Sequence, residues 1–263
     1  MLSNAIIGIV GPEGGGKTCL MAYLSMLHVA QGGKLLTFPG FDVTNSNGKK
    51  LSQTLETEKW ITMAPELRDV LICIDEIQNF FNSLKHMSTL NYLFANLSAQ
   101  RRHRNIGIIY TVQDWAWLDN RIRWLTHTLA TCYDLYWSPW GKEQELERGE
   151  LISVTFYDVK GFFTGKPWTP SSPFTLKAKS IWPCYDSWCD VDIFEGMAQL
   201  KIKKPTYTIN LNEPAGGEPG PGQEGMVPPG PDDSVELLNE LANTGVPPTL
   251  LSKVARRVMG GNG

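Results

Sequence analysis

No run of apolar residues in this 263-residue chain approaches the roughly 18 to 20 needed to cross a bilayer. The N-terminal stretch MLSNAIIGIVG also lacks the basic region and cleavage site of a secretory leader, so a cytosolic protein is expected. Cysteine is scarce. Five residues, an odd count, argue against a disulfide framework, and Cys19, Cys73 and Cys132 lie in apolar contexts typical of buried thiols. Cys184 and Cys189 form the only close pair, spaced C-x4-C, with no histidine or second pair nearby to complete a zinc site. There is little net charge as well: 24 Lys plus Arg against 27 Asp plus Glu give −3. Residues 213–263 hold seven of the acids and three of the bases, which leaves 20 acids and 21 bases upstream. A nearly neutral body has no overall field to attract a polyanion, so any contact with nucleic acid must use a local basic cluster.

The chain has enough apolar residues, 42%, to exclude disorder or a collagen-like fibre, but they are unevenly spread. After Asn212 the run EPAGGEPGPGQEGMVPPGPDD contains almost nothing that could be buried. Three segments are expected: a packed domain over 1–210, a Pro/Gly-rich linker over 211–233 and a short helical tail over 234–263.

Within the packed part, residues 5–10 (AIIGIV) read as a strand, the glycines that follow as a turn, and 18–28 as a helix with Leu20, Leu24 and Leu27 on one face. KLLTF reads as a second strand and FDVTNSNGKK as an exposed loop. Residues 70–75 (VLICID) and 106–111 (IGIIYT) are apolar on both pleat faces, as central parallel strands are. A helix over about 88–102 lies between them, and 129–136 forms a fifth strand. Alternation of this kind predicts an α/β fold with a doubly wound, mostly parallel sheet. Residues 141–161 alternate around a polar turn, which predicts a β-hairpin at the sheet edge.

The turn after the first strand is Gly11-Pro12-Glu13-Gly14-Gly15-Gly16-Lys17-Thr18, a G-x4-G-K-T phosphate-binding loop, with Cys19 next in the helix. Its glycines let backbone N–H groups turn inward around phosphates, where the helix N-terminus adds its positive end. Lys17 would reach the β and γ phosphates of ATP, and the Thr18 hydroxyl would ligate Mg2+. Such a loop needs a carboxylate on a neighbouring strand, and Asp75 stands at the end of VLICID as a metal-side ligand. Glu76 can polarise an attacking water and is the general-base candidate.

Gln113 ends the next apolar strand, where a polar side chain can sense the γ-phosphate or orient the water; a plain polar strand end is the other reading. Just upstream, Arg101, Arg102 and Arg104 form a basic cluster, read either as a solvated helix end or, in a ring, as the source of an arginine finger. Arg104 and Arg102 are the candidates for that role. Trp115, Trp117 and Trp124, interleaved with Arg121 and Arg123, could pack a core or interface or could offer a stacking surface to single-stranded nucleic acid.

Taken in order, the phosphate loop, ICIDEIQNFF, the block RRHRNIGIIYTVQDWAWLDNRIRWLTH and IWPCYDSW with Tyr185, Asp186 and Ser187 resemble the Zot-like (zonular occludens toxin domain) proteins, the assembly and extrusion ATPases of filamentous phages. The resemblance spans roughly residues 3–194. It implies an ATPase of the additional-strand type, related to viral DNA-packaging motors, that works as a homo-oligomer on viral DNA. Familiar members continue into a transmembrane helix, whereas this chain enters a Pro/Gly linker; packaging into a preformed capsid therefore competes with extrusion. Residues 248–259 (PTLLSKVARRVM) form an amphipathic segment with a basic face, which could dock on a viral structural protein or a membrane or could stay a marginal helix. A nucleotide-gated scaffold, or an NTPase that remodels protein complexes, is the alternative function.

Overall fold

The computed structural model describes residues 2, 4–55, 67–79, 101–161 and 165–186. Most of the helix expected over 88–102, Ser187, Cys189, the linker and the tail lie outside these residues. The described elements are β1 (Ile6–Val10), α1 (Lys17–Ala30), β2 (Lys34–Thr37), β3 (Asp42–Val43), β4 (Gln53–Thr54), β5 (Val70–Ile74) and β6 (Gly107–Val112). They continue with α2 (Asn120–Leu125), β7 (Thr128–Asp134), α3 (Pro139–Glu143), β8 (Leu151–Asp158), β9 (Thr169–Pro170), β10 (Phe174–Lys177) and β11 (Tyr185–Asp186).

One sheet runs β10-β8-β7-β1-β6-β5-β2-β4, with β9 beside β10 on the same edge of β8. From β7 to β4 every pairing is parallel. β8, β9 and β10 add an antiparallel edge. β6 lies between β1, which leads into the phosphate loop, and β5, which ends at Asp75. That inserted strand is the additional strand that the sequence resemblance implies.

Burial on both faces explains the apolar runs: all five residues of β5 and all six of β6 are buried. The pleat divides them into two cores. Ile7, Ile9, Leu71, Cys73 and Ile109 face α1, while Ile6, Ile72, Ile74, Ile108, Tyr110 and Val112 pack with Ile122 of α2 on the other side. The sheet is thus covered on both faces, as a doubly wound fold must be.

Two expectations need correction. Helix α1 is buried around its whole circumference except at Thr18, not on one face only. Its outer side is covered by Phe41 and Val43 and by Ala178, Ile181 and Cys184. The supposed exposed loop at 41–50 therefore contains β3, which pairs antiparallel with β11 through Tyr185 and Val43. The second correction concerns 141–161, which does not form a hairpin by itself. Its first part is α3 and a turn; only β8 is extended, and it takes its partners from β7 and from β9 and β10. The alternation in 151–158 was a true strand signal, but the partners are long-range.

Candidate nucleotide site

The phosphate loop leaves β1 and enters α1 through Gly16, whose φ of 89° lies in the left-handed region. Any side chain there would also strike Ile152, since a Cβ would come 2.1 Å from its Cδ1. At Gly11 the constraint is proximity, because a Cβ would sit 2.6 Å from the Cys132 carbonyl oxygen on β7. Inside the loop the Gly15 N–H donates to the Pro12 carbonyl at 3.0 Å. No side chain caps α1, so its first N–H groups remain turned toward the loop, as an anion site needs. Cys19, next in the first turn, has its thiol buried, and burial pushes that thiol pKa well up, which excludes a thiolate at the site.

Lys17 is buried, and its ammonium donates to the Pro12 carbonyl at 3.0 Å. Burial lowers its pKa from the usual lysine value, an effect opposed by the carboxylates of Glu76, Asp75 and Glu13. Across from it, the Thr18 hydroxyl lies 3.2 Å from both carboxylate oxygens of Asp75. A third group joins them from the inserted strand: the Thr111 hydroxyl donates to Asp75 Oδ1 at 2.5 Å and accepts the Glu76 N–H at 2.7 Å. Burial raises the pKa of Asp75 and the neighbouring Glu76 adds to this, while the Thr111 and Thr18 hydroxyls and Lys17 pull it back.

Glu76 itself has φ 47°, an unusual conformation for a residue with a side chain. The Thr111 contact and the Asn79 side-chain amide, which donates to Glu76 Oε2 at 3.3 Å, hold this turn. Its side chain lines the same cavity, of about 380 Å³, as Glu13, Gly14, Gly16, Lys17, Thr18 and Cys19.

Gln113 follows β6 at the end of the sheet that carries the loop, since Val112 is level with Val10, but it is not among the residues lining that cavity. Arg102 and Arg104 are at the other end. Residues 101–104 are helical and precede β6, so the length of that strand separates them from the phosphate loop of their own subunit. Neither can serve that site in cis. Arg101 of the same cluster is buried, and its guanidinium Nη2 lies 2.6 Å from His127 Nε2. The tryptophans divide between the two readings: Trp115 packs edge-on against Trp168 at 6.3 Å, whereas Trp117 and Trp124 are exposed. The nearby arginines are engaged locally, Arg121 with Asp119 and Arg123 with Asn120.

Residues that the sequence did not single out complete the cavity. Thr111 was hidden in an apolar run, although a hydroxyl near the end of a wholly buried strand is itself a signal. Arg148, Gly149, Ile152 and Trp182 come from the antiparallel edge and the segment after it. Nothing in their local spacing marks them. Tyr185 also lines the cavity and was noted only as part of the family resemblance.

Comparison with known proteins agrees with the reading of the central segment. A family model described as Zonular occludens toxin (Zot) matches residues 28–136, a shorter span than the resemblance suggested. It includes Asp75, Glu76, the arginine cluster and Gln113. No curated protein matches the chain. Among solved structures, the N-terminal domain of zonular occludens toxin from Neisseria meningitidis is similar at 16% identity, covering 69% of this chain and 98% of that one, with TM-score 0.47. The genome packaging NTPase B204 of Sulfolobus turreted icosahedral virus 2, in complex with ATP-gammaS, is similar at 15% identity over 65% of this chain and 98% of that one, with TM-score 0.43. Likeness at these values carries no functional argument.

Proposed function

We propose that this Zot-family P-loop protein hydrolyses ATP to move viral DNA during virion assembly, by genome packaging or by filamentous extrusion, as a homo-oligomeric ring. One observation carries the enzymatic part: the phosphate loop, Lys17, Thr18 and Glu76 line one cavity, with Asp75 held against Thr18 and Thr111 behind it. The DNA part rests on the Zot-family match alone.

In this account the loop N–H groups and Lys17 bind the β and γ phosphates of ATP. Thr18 and Asp75 present hard oxygen donors at one point, a set that fits Mg2+. Bound there, the ion would neutralise charge on the phosphates. Glu76 accepts a proton from the water as its oxygen attacks the γ-phosphorus, and the bond to the bridging oxygen breaks to leave ADP and inorganic phosphate. Gln113 orients that water from the rim. Arg102 and Arg104 act in trans, entering a neighbour's site from the far end of their own sheet. The chain works in the host cytoplasm, and the segment at 248–259 recruits it to a viral structural protein, a membrane or a virion vertex.

The test is steady-state ATP hydrolysis by the full chain with single-stranded, double-stranded or no DNA. Stimulation by one form of DNA is expected. Hydrolysis indifferent to both would remove DNA as the substrate, and bound ATP without hydrolysis would make the protein a nucleotide-gated scaffold. The trans role has its own test. Lys17→Ala and Arg104→Ala subunits should regain activity when mixed, and the same holds for Arg102→Ala; no recovery in co-assembled mixtures counts against a finger.

A further inference from the structure

The cavity beside the phosphate loop has a second cation that the motif does not contain. Arg148 lies in the turn between α3 and β8 and lines the cavity together with Lys17 and Glu76. Its guanidinium reaches the loop itself: a Cβ built on Gly14 would be 2.8 Å from Arg148 Nη2. A side chain at this point would push the guanidinium aside.

The arginine is also held from behind. Its guanidinium carbon lies 6.0 Å above the Trp137 ring, a cation–π distance. The next residue, Gly149, has φ 70° and is backed by the Trp182 indole, which a Cβ would approach to 2.5 Å. The Gly149 N–H donates to Asp134 Oδ2 at 2.8 Å, and Asp134, buried, takes the Tyr136 N–H on its other oxygen. Beyond it the Glu150 carbonyl accepts the Ala178 N–H at 3.3 Å. A turn tied down at successive residues places its side chain repeatably.

Charge decides what that side chain is for. The cavity is lined by three carboxylates, Glu13, Glu76 and Asp134, against Lys17 and Arg148. Asp134 accepts two backbone N–H groups, whereas Glu13 and Glu76 would repel a phosphate chain, so a second side-chain cation beside Lys17 favours its binding. Among the described residues no carboxylate pairs with Arg148. A guanidinium offers parallel N–H groups that match phosphate oxygens better than any other side chain.

We infer that Arg148 is a phosphate ligand supplied in cis, contacting the phosphate chain of a nucleoside triphosphate held in the loop. The inference rests on the phosphate-loop reading above. It gives the antiparallel edge a chemical role: β8 and its preceding turn form the wall that carries the cavity's second positive charge, on the same subunit as Lys17.

The experiment measures the affinity of the full chain for a non-hydrolysable ATP analogue and for ADP in wild type, Arg148→Gln, Arg148→Lys and Lys17→Ala. Arg148→Gln removes the guanidinium but leaves the backbone hydrogen bonds of the turn in place, and should melt as wild type does. Its affinity for the ATP analogue should fall about 10- to 100-fold, the loss expected for a charge-assisted hydrogen bond. The loss for ADP should be smaller, and Arg148→Lys should recover part of both. Mixing Arg148→Gln with Lys17→Ala subunits should restore no hydrolysis, because the arginine serves its own pocket. Wild-type affinity in Arg148→Gln would overturn the assignment, as would equal losses for both nucleotides with a lowered melting temperature, or recovery on mixing. If wild type binds no nucleotide, or Lys17→Ala binds as wild type does, the phosphate-loop reading has failed first.

Discussion

The parallel half of the sheet, β7 through β4, and its antiparallel edge, β8 with β9 and β10, build the same cavity by different physical means. The parallel strands end together on one rim. Their backbones set the loop, Asp75 and Thr111 level with one another through the register of β1, β6 and β5. What they contribute depends on chain direction and strand order, and it requires glycine at fixed points. The antiparallel edge contributes side chains instead: Ile152 packs on Gly16, and Arg148 reaches Gly14. Those positions depend on packing between distant segments, so they can change without disturbing the sheet. The comparison teaches that phosphate recognition is shared, with the backbone cradle on one side and an adjustable wall on the other.

The seam between the two halves is where the comparison breaks most easily. Gly16→Ala forces a side chain into a left-handed residue and into Ile152 at once. Destabilisation of about 1–3 kcal/mol is expected, together with at least a 100-fold loss of ATP affinity, read by calorimetry and equilibrium binding. Gly16→Ala with nucleotide affinity intact would show that the cradle does not need this conformation.

Thr111→Val tests the parallel half alone. The variant keeps the strand's shape and removes the hydroxyl that joins Asp75 to the Glu76 backbone. Turnover should fall about 10- to 100-fold, the usual cost of losing a group that orients a metal-side ligand, while ATP affinity changes little. If binding is lost and turnover per bound ATP is kept, Thr111 shapes the pocket rather than positioning Asp75 and Glu76.

Acid should act away from the cavity, at the opposite rim of the parallel half. Burial lowers the pKa of His28 to about 4, and that of His127 to about 4 with the Arg101 charge adding to the effect. Both histidines hold backbone N–H groups, His28 that of Leu2 and His127 that of Ile6. A folded-state pKa below the ordinary 6.5 means that the unfolded chain binds more protons. Stability from these residues is therefore fully present above pH 6.5 and is lost as pH falls toward 4. His28, which is 1% exposed, should account for on the order of 3 kcal/mol between those limits. Melting temperature against pH should show the fall, and His28→Asn should flatten it.

The smallest effect expected is on removing the tail. Truncation after Asn212 should leave the melting temperature of the remaining chain close to that of the full chain, because the Pro/Gly segment cannot bury apolar surface. Partner binding and virion yield should fall. A large drop in melting temperature would place the tail in the core.

How much of this was readable in the sequence follows the same division. The strand, glycine loop and helix around Lys17, and the apolar strands ending at Asp75 and Thr111, were legible because each depends on neighbours a few residues apart. Position along the sheet was harder. Arg102 and Arg104 stand before a strand and Gln113 after it, and only strand direction shows that they occupy opposite rims. The full burial of α1 was not legible, since its cover comes from 41–43 and 178–185. Arg148 could not be found at all, because in sequence it is one charge in a polar turn, and only the packing of β8 on the phosphate loop brings it to the site.

The most direct test of the central claim, that this cavity both binds ATP and hydrolyses it, is a paired measurement of ATP binding and turnover in Glu76→Gln and Lys17→Ala. Lys17→Ala should lose nucleotide affinity. Glu76→Gln should bind ATP as wild type does, with kcat lowered about 10²- to 10⁴-fold, because one group holds phosphate charge and the other acts only on the water. Equal loss of binding in both variants, with the fold intact, or undiminished turnover in Glu76→Gln, would contradict the account.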